Sequence, residues 1–217
     1  MERHRIGIVV PALNEAATIG SVISSAAKYG VPIVVDDGST DNTGGLAMAA
    51  GADVIFHHAN RGYDKAIGSG FERAHELGCA YVVTMDADGQ HDPTILGTFI
   101  QALDNGADVV VGVRDRRQRV AEHIFSWVGS LKWRIQDPLC GMKAYRIVVY
   151  LELGHFDSYG SIGTELTIYA ARNGKRIVQV PVATRVRRDE SRFGGRYTAN
   201  KRILSALWRG LRTTVIR

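Results

Sequence analysis

Short apolar runs alternate with longer amphipathic stretches along most of the chain. Residues 6–10, 33–35, 54–57, 81–85 and 108–113 are runs of strand length rich in β-branched residues, which is how strands buried on both faces read. Between them, residues 16–29, 43–50, 65–77 and 93–105 carry apolar positions at helical spacing. This β-α-β-α rhythm predicts an α/β fold, a mainly parallel sheet with helices on both faces. Further on, residues 164–172 read as a helix and 177–186 as a late strand, whose Pro181 marks an edge or a bulge. Residues 197–216 set Ile203, Leu204, Leu207, Trp208, Leu211 and Val215 at helical spacing, with Lys201, Arg202, Arg209 and Arg212 around them. Residues 123–127 and 131–133 fit core packing or a second amphipathic face.

Ligands of such sheets collect at the carboxyl ends of the strands, and there the polar clusters of this chain fall. After the run 81–85 come Asp86, Asp88, Gln90, His91 and Asp92. Residues two apart in extended backbone point the same way, so Asp86 and Asp88 face one side together. Carboxylates that close repel unless a cation sits between them, and Mg²⁺ or Mn²⁺ suits such oxygen ligands. The plain alternative is a solvated turn that caps the helix beginning near Pro93. The first strand is followed by PALNE at 11–15, and the second by DDGSTDNT at 36–43. Asp36 and Asp37 suit contacts to a base or ribose, whereas residues 39–43 suit helix capping. After the third strand, Gly62 lets backbone approach a ligand or simply makes a turn.

Charge narrows the partners. The net charge is +5, but from Lys175 onward the acids are only Asp189 and Glu190, against a dense set of arginines. That asymmetry suits a phosphate-bearing substrate or an anionic membrane surface. No zinc-finger or RNP-like pattern favours nucleic acid. A chain of 217 residues suits one domain, read as 1–196, with 197–217 a basic amphipathic helix that belongs to it or associates with a membrane. No apolar run approaches the roughly 20 residues of a membrane span. Residues 1–5 run straight into a strand-like segment, so no secretory signal is read, and Cys79 and Cys140 read as reduced thiols. The expected location is the cytoplasm, at the cytoplasmic face of a membrane if the last helix binds lipid.

Six segments, PALNE (11–15), VVDDGSTD (34–41), NRG (60–62), MDADGQ (85–90), GVR (112–114) and DPLCGMK (137–143), occur in an order that resembles family 2 glycosyltransferases. The likeness is strongest to their polyprenyl-phosphate (dolichol-phosphate mannose synthase-like) branch. It covers residues 6 to about 170 and implies a GT-A (Rossmann-like) fold, a UDP- or GDP-sugar donor, a divalent metal and inversion at the anomeric carbon. Carried over, Pro11, Ala12, Asn14, Glu15, Asp36, Asp37, Gly62 and Asp86 resemble the nucleotide contacts. Asp86 and Asp88 resemble the metal and diphosphate motif, with Gln90 a further ligand. Asp64 and Lys65 depart from the small residues many relatives carry, and the segment between Arg114 and Asp137 is short for the branch.

The chemistry divides on the acceptor. A lipid phosphate is anionic near neutrality and needs cations rather than a strong base; Arg114, Lys143, Arg192 and Arg196 are the candidates. A sugar hydroxyl needs a carboxylate to take its proton; Asp137 and Glu165 are then the contenders. Asp137 before Pro138 also suits a turn, and Glu165 a helix first-turn acid. The basic stretch 187–196 fits a lid over a phosphate or a solvated loop. The reading is an inverting, metal-dependent glycosyltransferase acting on a polyprenyl phosphate. One alternative is a family 2 enzyme acting on a glycan or small-molecule hydroxyl. The other is a sugar nucleotidyltransferase, which would want a Gly-rich, Arg-bearing loop where this chain has PALNE.

Overall fold

In the computed structural model, residues 5–90, 92–116, 119–183 and 196–212 are described, with side chains of the last segment from residue 199. Seven strands form one sheet in the order β3-β2-β1-β4-β6-β5-β7. The strands are β1 (Ile6–Ala12), β2 (Val31–Asp36), β3 (Asp53–Phe56), β4 (Tyr81–Thr84), β5 (Val109–Arg114), β6 (Lys143–Arg146) and β7 (Ile177–Val182). All neighbours run parallel except β6, which is antiparallel to both β4 and β5. The expected fold class is therefore borne out, with one reversed strand added.

The helices are α1 (Ile19–Ala26), α2 (Thr43–Ala49), α3 (Tyr63–Glu76), α4 (Ile95–Asp104), α5 (Val120–Trp133), α6 (Ile147–Leu153), α7 (Glu165–Arg172) and α8 (Arg196–Arg212). They cover both faces, because successive strand residues point to opposite sides. Ile8 and Val10 join one core with Ile23 of α1, Ala47 of α2 and Phe99 of α4. Val9 joins the other with Phe71 of α3, Phe125 of α5, Leu166 of α7 and Ile203 of α8. Pro181 sits in β7 at the sheet edge, where its missing N–H leaves no ladder bond unmade.

Two elements went unread in the sequence. β6 and α6 follow one another within residues 143–153. β6 is four residues long and begins with a buried lysine, so its charges mask the apolar run that marks the other strands. Both cysteines are free and buried, and burial pushes the Cys140 thiol up to about 12.

Phe71 is the centre of the second core. Its ring lies 5.6 Å from Tyr145 edge-on and 5.1 Å from both Tyr150 and Phe156. Phe71→Ala is expected to cost about 3–5 kcal/mol of unfolding free energy, measured by urea denaturation; a loss below about 1 kcal/mol would mean that this cluster repacks freely.

Candidate active site

A cleft of ≈ 800 Å³ opens at the carboxyl ends of β1, β2 and β4. Pro11, Ala12, Leu13 and Glu15 line it from the end of β1, and Asp37 from the end of β2. Asp36 does not share that wall. Adjacent residues on a strand face opposite ways, and Asp36 instead accepts a hydrogen bond from Ser39 N at 2.8 Å. Asp37 accepts from Arg61 N at 2.9 Å and Gly62 N at 2.8 Å, and meets His57 Nδ1 at 2.6 Å. It thereby fixes the loop after β3, and Gly62 permits that shape with φ of 91°. Asn14 takes a left-handed conformation, φ 51°, and its side chain accepts from Thr40 N at 2.8 Å. It stitches the first two loops together, and it is not among the cleft-lining residues.

Asp86 and Asp88 both line the cleft. Room for the Asp86 carboxylate comes from Gly141: a Cβ there would stand 2.6 Å from Asp86 Oδ2. Thr84 at the end of β4 holds that glycine in place, donating from Oγ1 to Gly141 O at 2.7 Å and accepting from Lys143 N at 3.1 Å. Gln90 donates its backbone N–H to Asp88 Oδ1 at 3.0 Å. Among the described residues no three His, Cys, Asp or Glu side chains form a complete metal cage. Two carboxylates on an open cleft are nevertheless the donor set that Mg²⁺ or Mn²⁺ takes when substrate phosphates and water supply the other ligands.

The cations and acids expected on the acceptor side sit differently. Asp137 is fully buried and receives Arg114 N, Nε and Nη2 at 3.1, 2.8 and 2.9 Å. Glu122 of α5 lies 3.7 Å from the same guanidinium. Lys143 is buried with its ammonium donating to Gly163 O, and burial lowers its pKa to about 8. Glu165 is buried, and its carboxylate accepts from Ser158 N at 2.6 Å and Ser158 Oγ at 2.7 Å, with His155 Nε2 at 3.0 Å. Arg114, Asp137, Lys143 and Glu165 are thus not among the cleft-lining residues. Arg192 and the rest of its basic loop lie outside the described residues.

Asp64, Asp157, Arg202 and Arg209 are among the lining residues that had no assigned site role in the sequence. Asp64 accepts from Gly163 N at 2.6 Å and Ile162 N at 3.2 Å. Burial, with Asp157 nearby, raises its pKa to about 6. Asp157 accepts from Ser161 N and Gly160 N at 2.6 and 2.9 Å. Arg202 and Arg209 reach the cleft from α8. Their spacing of seven puts them on one helix face, the one sequence signal that would have found them.

The family model for glycosyl transferase family 2 matches residues 7–147. The chain belongs to this family. Undecaprenyl-phosphate mannosyltransferase of Micrococcus luteus is 32% identical over an alignment of 240 positions, covering 96% of this chain and 98% of the relative. Polyprenol monophosphomannose synthase of Mycolicibacterium smegmatis is 30% identical, covering 82% of this chain and 77% of the relative. Glucosyl-3-phosphoglycerate synthase of Mycobacterium tuberculosis, solved with Mn²⁺ and UDP-glucose, superposes with a TM-score of 0.77 at 25% identity, covering 95% of this chain and 79% of that one. This family 2 enzyme is a glycosyltransferase with a GT-A fold, and its likeness to the polyprenyl-phosphate branch is borne out by those relatives. The nucleotidyltransferase alternative falls away.

The contact between Gly141 and Asp86 gives a direct test of the metal motif. Gly141→Ala must push the carboxylate aside and is expected to raise the Mn²⁺ concentration for half-maximal nucleotide release about tenfold, equivalent to about 1.4 kcal/mol. An unchanged metal titration in a folded variant would separate Asp86 from metal binding.

Proposed function

We propose that this glycosyltransferase moves a sugar from a UDP- or GDP-sugar to a polyprenyl phosphate, with inversion and with a divalent ion at Asp86 and Asp88. The observation that carries the choice of acceptor is the state of the two acids that the sequence singles out for general-base work. Asp137 is buried beneath Arg114, and both oxygens of Glu165 are engaged by Ser158 and His155. A hydroxyl nucleophile needs a carboxylate poised to take its proton; a phosphate does not. The names of the Micrococcus and Mycolicibacterium relatives support the same acceptor class.

Pro11, Glu15, Asp37 and Gly62 would hold the nucleoside end, since they surround the cleft on the β1–β3 side. A divalent ion at Asp86 and Asp88 would act as a Lewis acid toward the departing diphosphate. In the transfer, an acceptor phosphate oxygen forms the new bond to the anomeric carbon from the opposite face. The bond from that carbon to the diphosphate breaks, and its electron pair leaves with the nucleoside diphosphate. No proton need change hands.

A lipid acceptor also asks for a membrane-facing surface. α5 exposes Val120, Ile124, Trp127 and Leu131, and α8 exposes Leu204, Trp208 and Leu211. Trp127 is 70% and Trp208 54% exposed, unusual for side chains of this size. α8 contains no acid and carries Lys201, Arg202, Arg209 and Arg212, so its charge complements anionic lipid headgroups. No helix among the described residues is long and apolar enough to cross a membrane, so the association would be peripheral.

Two measurements test this reading. With labelled donor and Mn²⁺, undecaprenyl phosphate is expected to take up sugar as an acid-labile lipid product, and to raise nucleotide release at least tenfold over water; transfer only to hydroxyl acceptors would overturn it. Replacing Trp127 and Trp208 together with Ala is expected to cut binding to phosphatidylglycerol-containing vesicles at least fivefold without lowering the thermal midpoint. Undiminished vesicle binding would take these helices out of the membrane contact.

A further inference from the structure

α8 has three distinct faces. Ala199, Ile203, Ala206 and Leu207 are buried in the core, and Gly210 lies against Ile168, Trp133 and Tyr159. Leu204, Trp208 and Leu211 point outward. The remaining side, Arg202, Ser205 and Arg209 at intervals of three and four, lines the cleft. Arg209 is tied to the cleft's rim by donating from Nη1 to Tyr159 O.

Charge in the cleft is divided. Glu15, Asp37, Asp64, Asp86, Asp88 and Asp157 all line it, a strongly acidic surround for a reaction between two anions. A divalent ion at the Asp86–Asp88 end answers for the donor diphosphate only. A phosphate monoester entering the other end carries a charge of about −1.5 to −2 near neutrality and needs cations of its own. Arg114 and Lys143 do not supply them, because the first is spent on Asp137 and the second is buried against Gly163 O. Arg61 and Lys65 also line the cleft, but they stand at the head of α3 beside the loop that Asp37 holds. Arg202 and Arg209 come instead from α8, which carries none of the residues read as nucleotide contacts, and Arg209 is bonded to the rim loop between Ser158 and Gly160.

We propose that Arg202 and Arg209 receive the phosphate of the acceptor, and that α8 thereby reads both halves of an amphiphilic substrate. The phosphate meets the arginine side while the hydrocarbon tail leaves along Leu204, Trp208 and Leu211. Guanidinium groups suit this task because their fork of N–H donors matches phosphate oxygens and keeps its charge at any physiological pH. The assignment rests on the polyprenyl-phosphate reading above, and it names residues that act on the acceptor alone.

The test uses citronellyl phosphate, a ten-carbon acceptor soluble without vesicles, so that membrane docking does not enter. GDP-mannose and UDP-glucose are tried as donors with Mn²⁺, and the faster is kept. For Arg202→Ala with Arg209→Ala, the acceptor KM is expected to rise at least tenfold while the donor KM moves less than twofold. Lysine at both positions is expected to restore part of the loss, and Lys28→Ala, an exposed cation just after α1, which packs in the opposite core from α8, to leave the acceptor KM unchanged. Both arginines are exposed, and the bond from Arg209 to Tyr159 O is lost, so a thermal midpoint close to the parent's is expected and certifies the variants. An acceptor KM within twofold of the parent's would overturn the assignment and leave the polyprenyl-phosphate reading standing. A parent enzyme that does not glycosylate citronellyl or undecaprenyl phosphate with either donor would overturn both.

Discussion

The hydroxyl of Thr84 is the joint on which the site turns. It bridges Gly141 O and Lys143 N, pinning the segment before β6 onto the tip of β4. That segment carries a chain of consequences: Gly141 makes space for Asp86, Asp137 receives Arg114, and Lys143 reaches across to Gly163. Because β6 enters the sheet antiparallel between β4 and β5, the loop that precedes it lies at the end of the sheet where the other strands finish. A single reversed strand therefore sets groups from the second half of the chain behind Asp86, a wall of the cleft built by the first half.

The acids around the cleft divide into two kinds by what they touch. Asp37, Asp64, Asp157 and Glu165 accept backbone N–H groups from loops, and charge-assisted bonds of this type are stronger than neutral ones. They shape the walls. Asp86 and Asp88, the latter also accepting Gln90 N, are presented together just past the end of β4, where a cation can reach them. Lining the cleft with ionised groups that also hold its loops ties the shape of the pocket to its electrostatics, so neither varies alone.

Much of this was legible in the sequence, for a physical reason. Strands buried on both faces must be almost wholly apolar, so β1, β2, β4 and β5 announced themselves, and the parallel sheet fixed where the polar clusters would meet. β6 escaped because a buried lysine and an arginine frame it. Asp36 and Asp37 illustrate a finer limit: adjacency in sequence suggested a shared task, whereas strand alternation sends them to opposite sides. Burial of Asp137 and Glu165 was equally hidden, because a spacing of residues does not reveal which carboxylates already have hydrogen-bond donors. The exposure of Trp127 is a further case; helical periodicity marks an apolar stripe, and only the packed structure tells an inner one from an outer one.

The two cysteines have a practical side. Cys79 and Cys140 are sealed inside the two cores, and burial raises both thiols above their ordinary range, so thiolate is scarce in each at neutral pH. The native chain is therefore expected to react only slowly with maleimide dyes. A fluorophore placed on one introduced surface cysteine would report from that site alone, with no need to strip the protein of its own sulfur first.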